Sequence, residues 1–247
     1  MKTKIGWIGF PKEEGADYFA CLADYVKLGY QGVEAPATED AEKLAALGLE
    51  ALTVSTSIEE VRDDLPAVIA KAKKVNAKRA SIWASGKIWG DPPPREEIFA
   101  EFEIMETAAK AMAAEGIKLC YHNHDKEFFI KYDDITMMDH MMANTSALWL
   151  EADVCWVTIG GAEPVEFLKK YASRLAAVHI KDYIVVDDKP VFTSLGTGLV
   201  DLPPILNYLK DIQFDWLVFE QDQLHKLSSL ETMTLSYLYM KELGICE

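Results

Sequence analysis

Two histidines, an aspartate and a glutamate fall within eight residues at YHNHDKEF (residues 121–128). The apolar run before them, residues 117–120, reads as a strand. If it continues to His124, alternation puts Cys120, His122 and His124 on one face. Other apolar runs also end in ligand-type or acid/base-type groups. These are Glu34, Glu151 with Asp153, His179 with Lys181 and Asp182, and Glu220 with Asp222. Carboxylates with one or two imidazoles suit a divalent cation: Mn²⁺, Mg²⁺, Co²⁺ or Zn²⁺. Such an ion polarises a carbonyl and its neighbouring hydroxyl, easing removal of the proton on the adjacent carbon. One flanking carboxylate then acts as base and a second, on the opposite face, as acid. That is the chemistry of ketose epimerisation and aldose–ketose isomerisation.

Placing those residues on one rim needs a particular architecture. Short apolar strands are predicted at residues 5–10, 32–35, 49–56, 80–84, 117–124, 148–156, 175–181 and 216–220. Helical periodicity follows each one, at 18–28, 41–47, 57–75, 96–115, 134–144, 164–172, 200–212 and 227–243. Strict alternation implies parallel strands covered by helices. The first strand lacks the glycine-rich phosphate turn of a dinucleotide-binding fold. Eight uninterrupted units therefore predict an α/β fold, a single (β/α)8 TIM barrel over residues 1–247, with its site at the carboxyl ends of the strands.

Alternation refines the candidates. His179 and Lys181 share a face, as do Glu151, Asp153 and Cys155. Glu151 then lies roughly 7 Å deeper than Asp153, where a carboxylate needs a partner. A structural ion pair with Lys118 is the expectation. Cys120 and Cys155, inside predicted strands, read as small buried hydrophobes. The 247 residues carry a net charge of −15, which argues against nucleic acid and anionic membrane surfaces as partners. The N-terminal apolar run is too short for a signal peptide, no run approaches membrane-spanning length, and the four cysteines are unclustered. A reduced, cytoplasmic protein is expected.

YHNHDKEF, LEADVCWVTIGGAEPVEFLKKYASRLAAVHIKD (150–182), SLGTGLVDLPPIL (194–206) and VFEQD (218–222) together resemble the sugar phosphate isomerase/epimerase-like proteins of the xylose-isomerase-like TIM-barrel superfamily. The resemblance implies a metal held from strands 5 to 8, with Asp153, His179 and Glu220 as ligands. Related sugar epimerases carry a glutamate near His122, so either His122 or Glu127 takes the strand-5 place. The catalytic candidates are accordingly Glu127, Glu220 and His122. Glu34, His124, Trp156 and Lys181 are candidate substrate contacts, Glu34 being equally readable as structural and Trp156 standing where related epimerases carry a histidine. Trp83 and Trp89 are open between sugar stacking and packing, and Gly196 and Gly198 between a turn and a phosphate cradle. The implied function is a metal-dependent isomerase or epimerase of a small sugar or keto-sugar. The alternatives are a hydratase/dehydratase acting on a keto-sugar or inosose through the same enediolate, and a sugar-binding barrel without catalysis. Homo-oligomerisation is expected from the resemblance alone.

Overall fold

A computed structural model describes residues 3–8 and 15–246. Eight parallel strands form the wall: β1 Ile5–Ile8, β2 Gly32–Val33, β3 in two pieces (Glu50–Ala51 and Val54–Thr56), β4 Arg79–Ile82, β5 Lys118–His122, β6 Trp149–Asp153, β7 Leu175–Ile180 and β8 Trp216–Glu220. Their order around the sheet is 3-2-1-8-7-6-5-4-3, because the first piece of β3 pairs with β2 and the second with β4. The wall therefore closes through β3. The predicted barrel is observed; residues 9–10 of the first predicted strand lie outside the described residues.

Among the described residues eleven α-helices accompany the wall: α1 Tyr18–Leu28, α2 Ala41–Ala46, α3 Ile58–Asp63, α4 Leu65–Lys74, α5 Arg95–Ala114, α6 Lys126–Phe129, α7 Met137–Asn144, α8 Val154–Ile159, α9 Pro164–Tyr171, α10 Leu202–Leu209 and α11 Ser229–Glu242. The single helix expected at 57–75 is broken at Asp64, whose carboxylate caps the new start by accepting from Ala67 N at 3.2 Å. Pro66 in the first turn of α4 has no N–H for a helix running through from α3.

The uninterrupted third strand needs correction as well. Leu52 packs inside the barrel with Ala177 and Val218. The next residue, Thr53, also faces inward, its hydroxyl 2.7 Å from that of Ser81. Two consecutive inward residues make a β-bulge, which alternation cannot accommodate. Leu52 is accepted on this floor because Gly6 and Gly32 lie beside it. A Cβ on either would stand 2.3 or 2.4 Å from a Leu52 methyl.

The sixth strand ends earlier than expected. Asp153 is its last residue, and Cys155 and Trp156 belong to α8. Two hairpins went unpredicted, Lys131–Tyr132 with Ile135–Thr136 and Asp182–Val186 with Lys189–Thr193. Each turns on an Asp-Asp pair with positive φ (51° and 63°, 50° and 59°), the backbone of a two-residue hairpin turn.

The barrel interior is layered. Its floor is Leu52, Ala177, Trp216 and Val218, with Ile8 against them. Above lies a charged layer of Arg79, Glu34, Glu151 and His179, all buried. His122, Asp153, Glu220 and Lys181 crown it at the strands' carboxyl ends. No helix among the described residues is long and apolar enough to cross a membrane.

Candidate metal centre

Parallel pairing brings the crown together. His122 lies opposite Glu151 across β5–β6, Asp153 opposite His179 across β6–β7, and His179 opposite Val218 across β7–β8, just below Glu220. His122, Asp153, His179 and Glu220 each offer a ligand atom, and these atoms all lie within 4.8 Å of one another. His122 Nε2 stands 3.9 Å from both Asp153 Oδ2 and Glu220 Oε2. His179 Nδ1 lies 2.7 Å from Glu220 Oε2. His122 Nε2 and Asp153 Oδ2 are buried and have no hydrogen-bond partner. Buried polar atoms are normally satisfied, and two imidazoles with two carboxylates aimed at one point are a divalent-cation donor set. The residues fit a metal ion.

The ligand atoms are held from behind. Asp153 Oδ1 accepts from Trp156 N at 2.8 Å, so the same carboxylate caps α8 and leaves Oδ2 for the cluster. Asn123 fixes the strand end, donating to Asp153 O and accepting from Asp153 N, both at 3.1 Å. His179 Nε2 approaches Glu34 Oε2 at 2.9 Å, a charge contact without aligned hydrogen-bond geometry, and Glu151 Oε1 at 3.8 Å. Arg79 reaches both carboxylates, 2.8 Å to Glu34 and 3.7 Å to Glu151.

Lys181 is fully buried beside the ligands, its Nζ 3.4 Å from Asp153, 3.0 Å from Glu220 and 3.0 Å from Asp222. Those carboxylates raise its pKa against the effect of burial. The Trp156 and Phe192 rings flank the ammonium at 5.0 and 4.6 Å. Burial pushes the Asp153 carboxyl up to about 7, with Lys181 opposing and Glu220 reinforcing the shift. Glu220 is held well below its usual range, because Lys181 and His179 outweigh its burial. Burial and the charge of His179 keep His122 neutral, its pKa well below the usual value.

The remaining candidates occupy different ground. His124 lies beyond the end of β5, its ring 4.9 Å from that of His122 and 5.3 Å from that of Trp156. Its Nδ1 is buried and without a hydrogen-bond partner. Burial and the Lys181 charge lower its pKa to about 4. Trp83 donates to Ser55 Oγ at 2.8 Å and edges the His122 ring at 5.4 Å. Trp89 is exposed and lies against His124.

Glu127, a candidate ligand and base, is placed outside the cluster. The short turn of α6 swings it towards the outer face of β5, where Tyr121 OH donates to it at 2.8 Å and His124 N at 3.0 Å. Burial raises its pKa to about 7. Glu34 is packed beneath His179 in the charged layer. The pairing of Glu151 with Lys118 is not observed. Lys118 starts β5, four residues below His122, and pairs with Asp215 at 2.7 Å at the barrel's lower rim. Glu151 faces Arg79, a residue the sequence reading missed; its signal was an arginine sharing the inward face of an apolar strand with Ser81 and Trp83. Gly196 and Gly198 do form a cradle of N–H groups, but Asp182 fills it. The Asp182 carboxylate accepts from Gly196 N at 3.0 Å, Gly198 N at 2.8 Å and Val200 N at 3.1 Å.

A closed eight-stranded barrel thus carries a crown of imidazoles and carboxylates that could hold a metal ion. Residues 22–233 match the xylose isomerase-like TIM barrel family, and the chain belongs to that family. A curated relative, inosose dehydratase from Klebsiella pneumoniae subsp. pneumoniae, is 28% identical over 180 residues. That match covers 64% of this chain and 60% of the relative. Among solved structures, a sugar phosphate isomerase/epimerase from Parabacteroides distasonis superimposes with a TM-score of 0.82 at 18% identity, covering 100% of this chain and 96% of that one. IolI with a binding zinc atom gives 0.72 at 16% identity, covering 97% of each chain. At these identities the structural likeness is one of fold.

Proposed function

We propose that this protein is a divalent-metal-dependent dehydratase that eliminates water from a keto-sugar or inosose. His122, Asp153, His179 and Glu220 would hold the ion. The observation that carries the reading is the strand-5 place: it offers His122, while Glu127 is tied to Tyr121 and the His124 backbone. Without a strand-5 carboxylate facing Glu220, the opposed carboxylate pair that a two-face epimerisation needs is not assembled. What stands at the centre instead is a proton donor, Lys181, beside Glu220.

Bound there, a divalent ion would polarise a carbonyl and stabilise charge developing on its oxygen. His124 Nδ1, buried and without a partner, is the group free to accept the proton from the carbon beside the carbonyl. Lys181 Nζ holds a proton among three carboxylates and delivers it to the departing hydroxyl. Trp156 adjoins both groups, its ring centroid 5.3 Å from that of His124 and 5.0 Å from Lys181 Nζ, and supports an apolar ring face of the substrate. The dehydratase relative agrees with this outcome.

Isomerisation or epimerisation is the second reading, favoured by the Parabacteroides neighbour. Incubation with Mn²⁺, D₂O and a panel of unphosphorylated inososes and ketoses separates the two. Water loss with formation of an unsaturated or diketo product supports elimination. Deuterium incorporation without water loss sinks it in favour of epimerisation or isomerisation.

A further inference from the structure

Below the ion-binding crown lies a second set of ligand-type groups: Glu34, Glu151 and His179, all buried, with ligand atoms within 4.8 Å of one another. By donor chemistry alone it reads as a second cation site. Arg79 is already there. Its guanidinium is 1% exposed, 2.8 Å from Glu34 Oε1 and 3.7 Å from Glu151 Oε1. Arginine stays charged at every pH a protein experiences. A second ion would meet that fixed positive charge at contact distance in a site closed to water.

His179 links the two sets. Its Nδ1 faces the crown beside Glu220 Oε2, and its Nε2 faces the lower carboxylates, 2.9 Å from Glu34 Oε2. An imidazole can give the Nδ1 lone pair to an ion only when its proton sits on Nε2. The Glu34 carboxylate behind the ring, in charge contact with Nε2 at 2.9 Å, favours the proton on that side electrostatically. The two Glu34 oxygens divide this work, Oε1 meeting Arg79 and Oε2 meeting His179. Left without Arg79, Glu34 and Glu151 would confront each other as like charges in the core, with only His179 between them.

We propose that Arg79 is a built-in cation that fills the lower cluster and positions His179, through Glu34 and Glu151, for the crown, so that the protein takes one divalent ion. The proposal rests on the metal-centre reading above. It makes Arg79 a positioning residue, with no contact to substrate.

Calorimetric titration of the metal-free protein with Mn²⁺, together with the visible absorption spectrum of bound Co²⁺, tests it. Wild type is expected to bind one ion. Arg79→Met should weaken that binding by about 10- to 100-fold, the usual effect of losing support behind a ligand, and shift the Co²⁺ bands. Arg79→Lys, which keeps the charge, should recover most of the affinity. Glu34→Gln, which leaves Arg79 in place but breaks its link to His179, should also weaken binding, and it decides the matter if Arg79→Met does not fold. Wild-type affinity in Arg79→Met, or in Glu34→Gln where the former is not recovered folded, overturns the proposal. So does a second Mn²⁺ in the wild type. A wild type that binds no divalent ion overturns the metal-centre reading with it, whereas undiminished binding by the variants overturns this proposal alone.

Discussion

Replacing Asp182 by alanine should be strongly destabilising. The carboxylate is buried and takes backbone N–H bonds from Gly196, Gly198 and Val200 at 2.8–3.1 Å, gathering residues 194–200 onto the end of β7. Hydrogen bonds to a charged group are worth about 1.5–3 kcal/mol each, so these three, with a fourth from Tyr183 N at 2.9 Å, amount to roughly 6–12 kcal/mol before compensation. Water entering the vacated space re-satisfies some donors, and the buried charge itself is removed. About 4 kcal/mol is the net expectation. For a domain of this size each kcal/mol lowers Tm by roughly 2–4 °C, giving a fall of about 8–16 °C. Asp182→Asn keeps one acceptor oxygen and should lose about half as much. Thermal unfolding followed by circular dichroism, with urea titration at the same pH, measures both variants. Limited proteolysis should cut Asp182→Ala first within residues 194–200. A Tm within 2 °C of wild type, with that segment still protected, would refute the reasoning.

Glu127 predicts a pH dependence. Its folded pKa of about 7 lies above the ordinary glutamate value because burial dominates. The associated stability is complete below about pH 4.5 and is lost as pH rises through 7, a change of about 3 kcal/mol. Glu127→Gln removes the titration, so the stability difference between wild type and variant should move by about that amount in favour of the variant between pH 5 and 8. Urea midpoints across that range check it, and a constant difference contradicts the assignment. Lys181→Met should destabilise the metal-free protein by about 3–5 kcal/mol, since Asp153 and Glu220 lose their buried counter-charge. Saturating Mn²⁺ should restore much of that loss. Differential scanning calorimetry with and without the ion measures both effects, and an equal loss in the two conditions would remove Lys181 from the ligands' charge balance.

The wall and the crown were legible in the sequence for the same reason. Strands buried on both faces read as apolar runs, so His122, Asp153, His179 and Glu220 stood out where those runs became polar. What alternation could not show was where it fails. Residues 49–56, LEALTVST, carry apolar and hydroxyl side chains that fit either face, so the inward pair Leu52–Thr53 left no mark. The hairpin turns use Asp-Asp instead of the glycine-containing pairs that announce such turns. Strand 6 was read through to Trp156 because β-prone VCWV follows Asp153, whereas the Asp153 carboxylate starts a helix there. Glu127 shows a further limit of alternation: one short helical turn, Lys126–Phe129, carries it around the strand end. Arg79 was missed because an arginine at the head of a strand ordinarily faces solvent, and its role follows from carboxylates on two other strands.

The inward pair at Leu52 and Thr53 also bears on the dimensions of the wall. In a closed barrel the strand number and the stagger of the ladder together set tilt and diameter. An extra residue in one strand advances the stagger between its neighbours, here β2 and β4, by one position. That seam stands beside the strands that deliver Glu34 and Arg79. Shortening that segment by one residue would therefore have to shift the register of β3 against β2 or β4, next to the buried guanidinium.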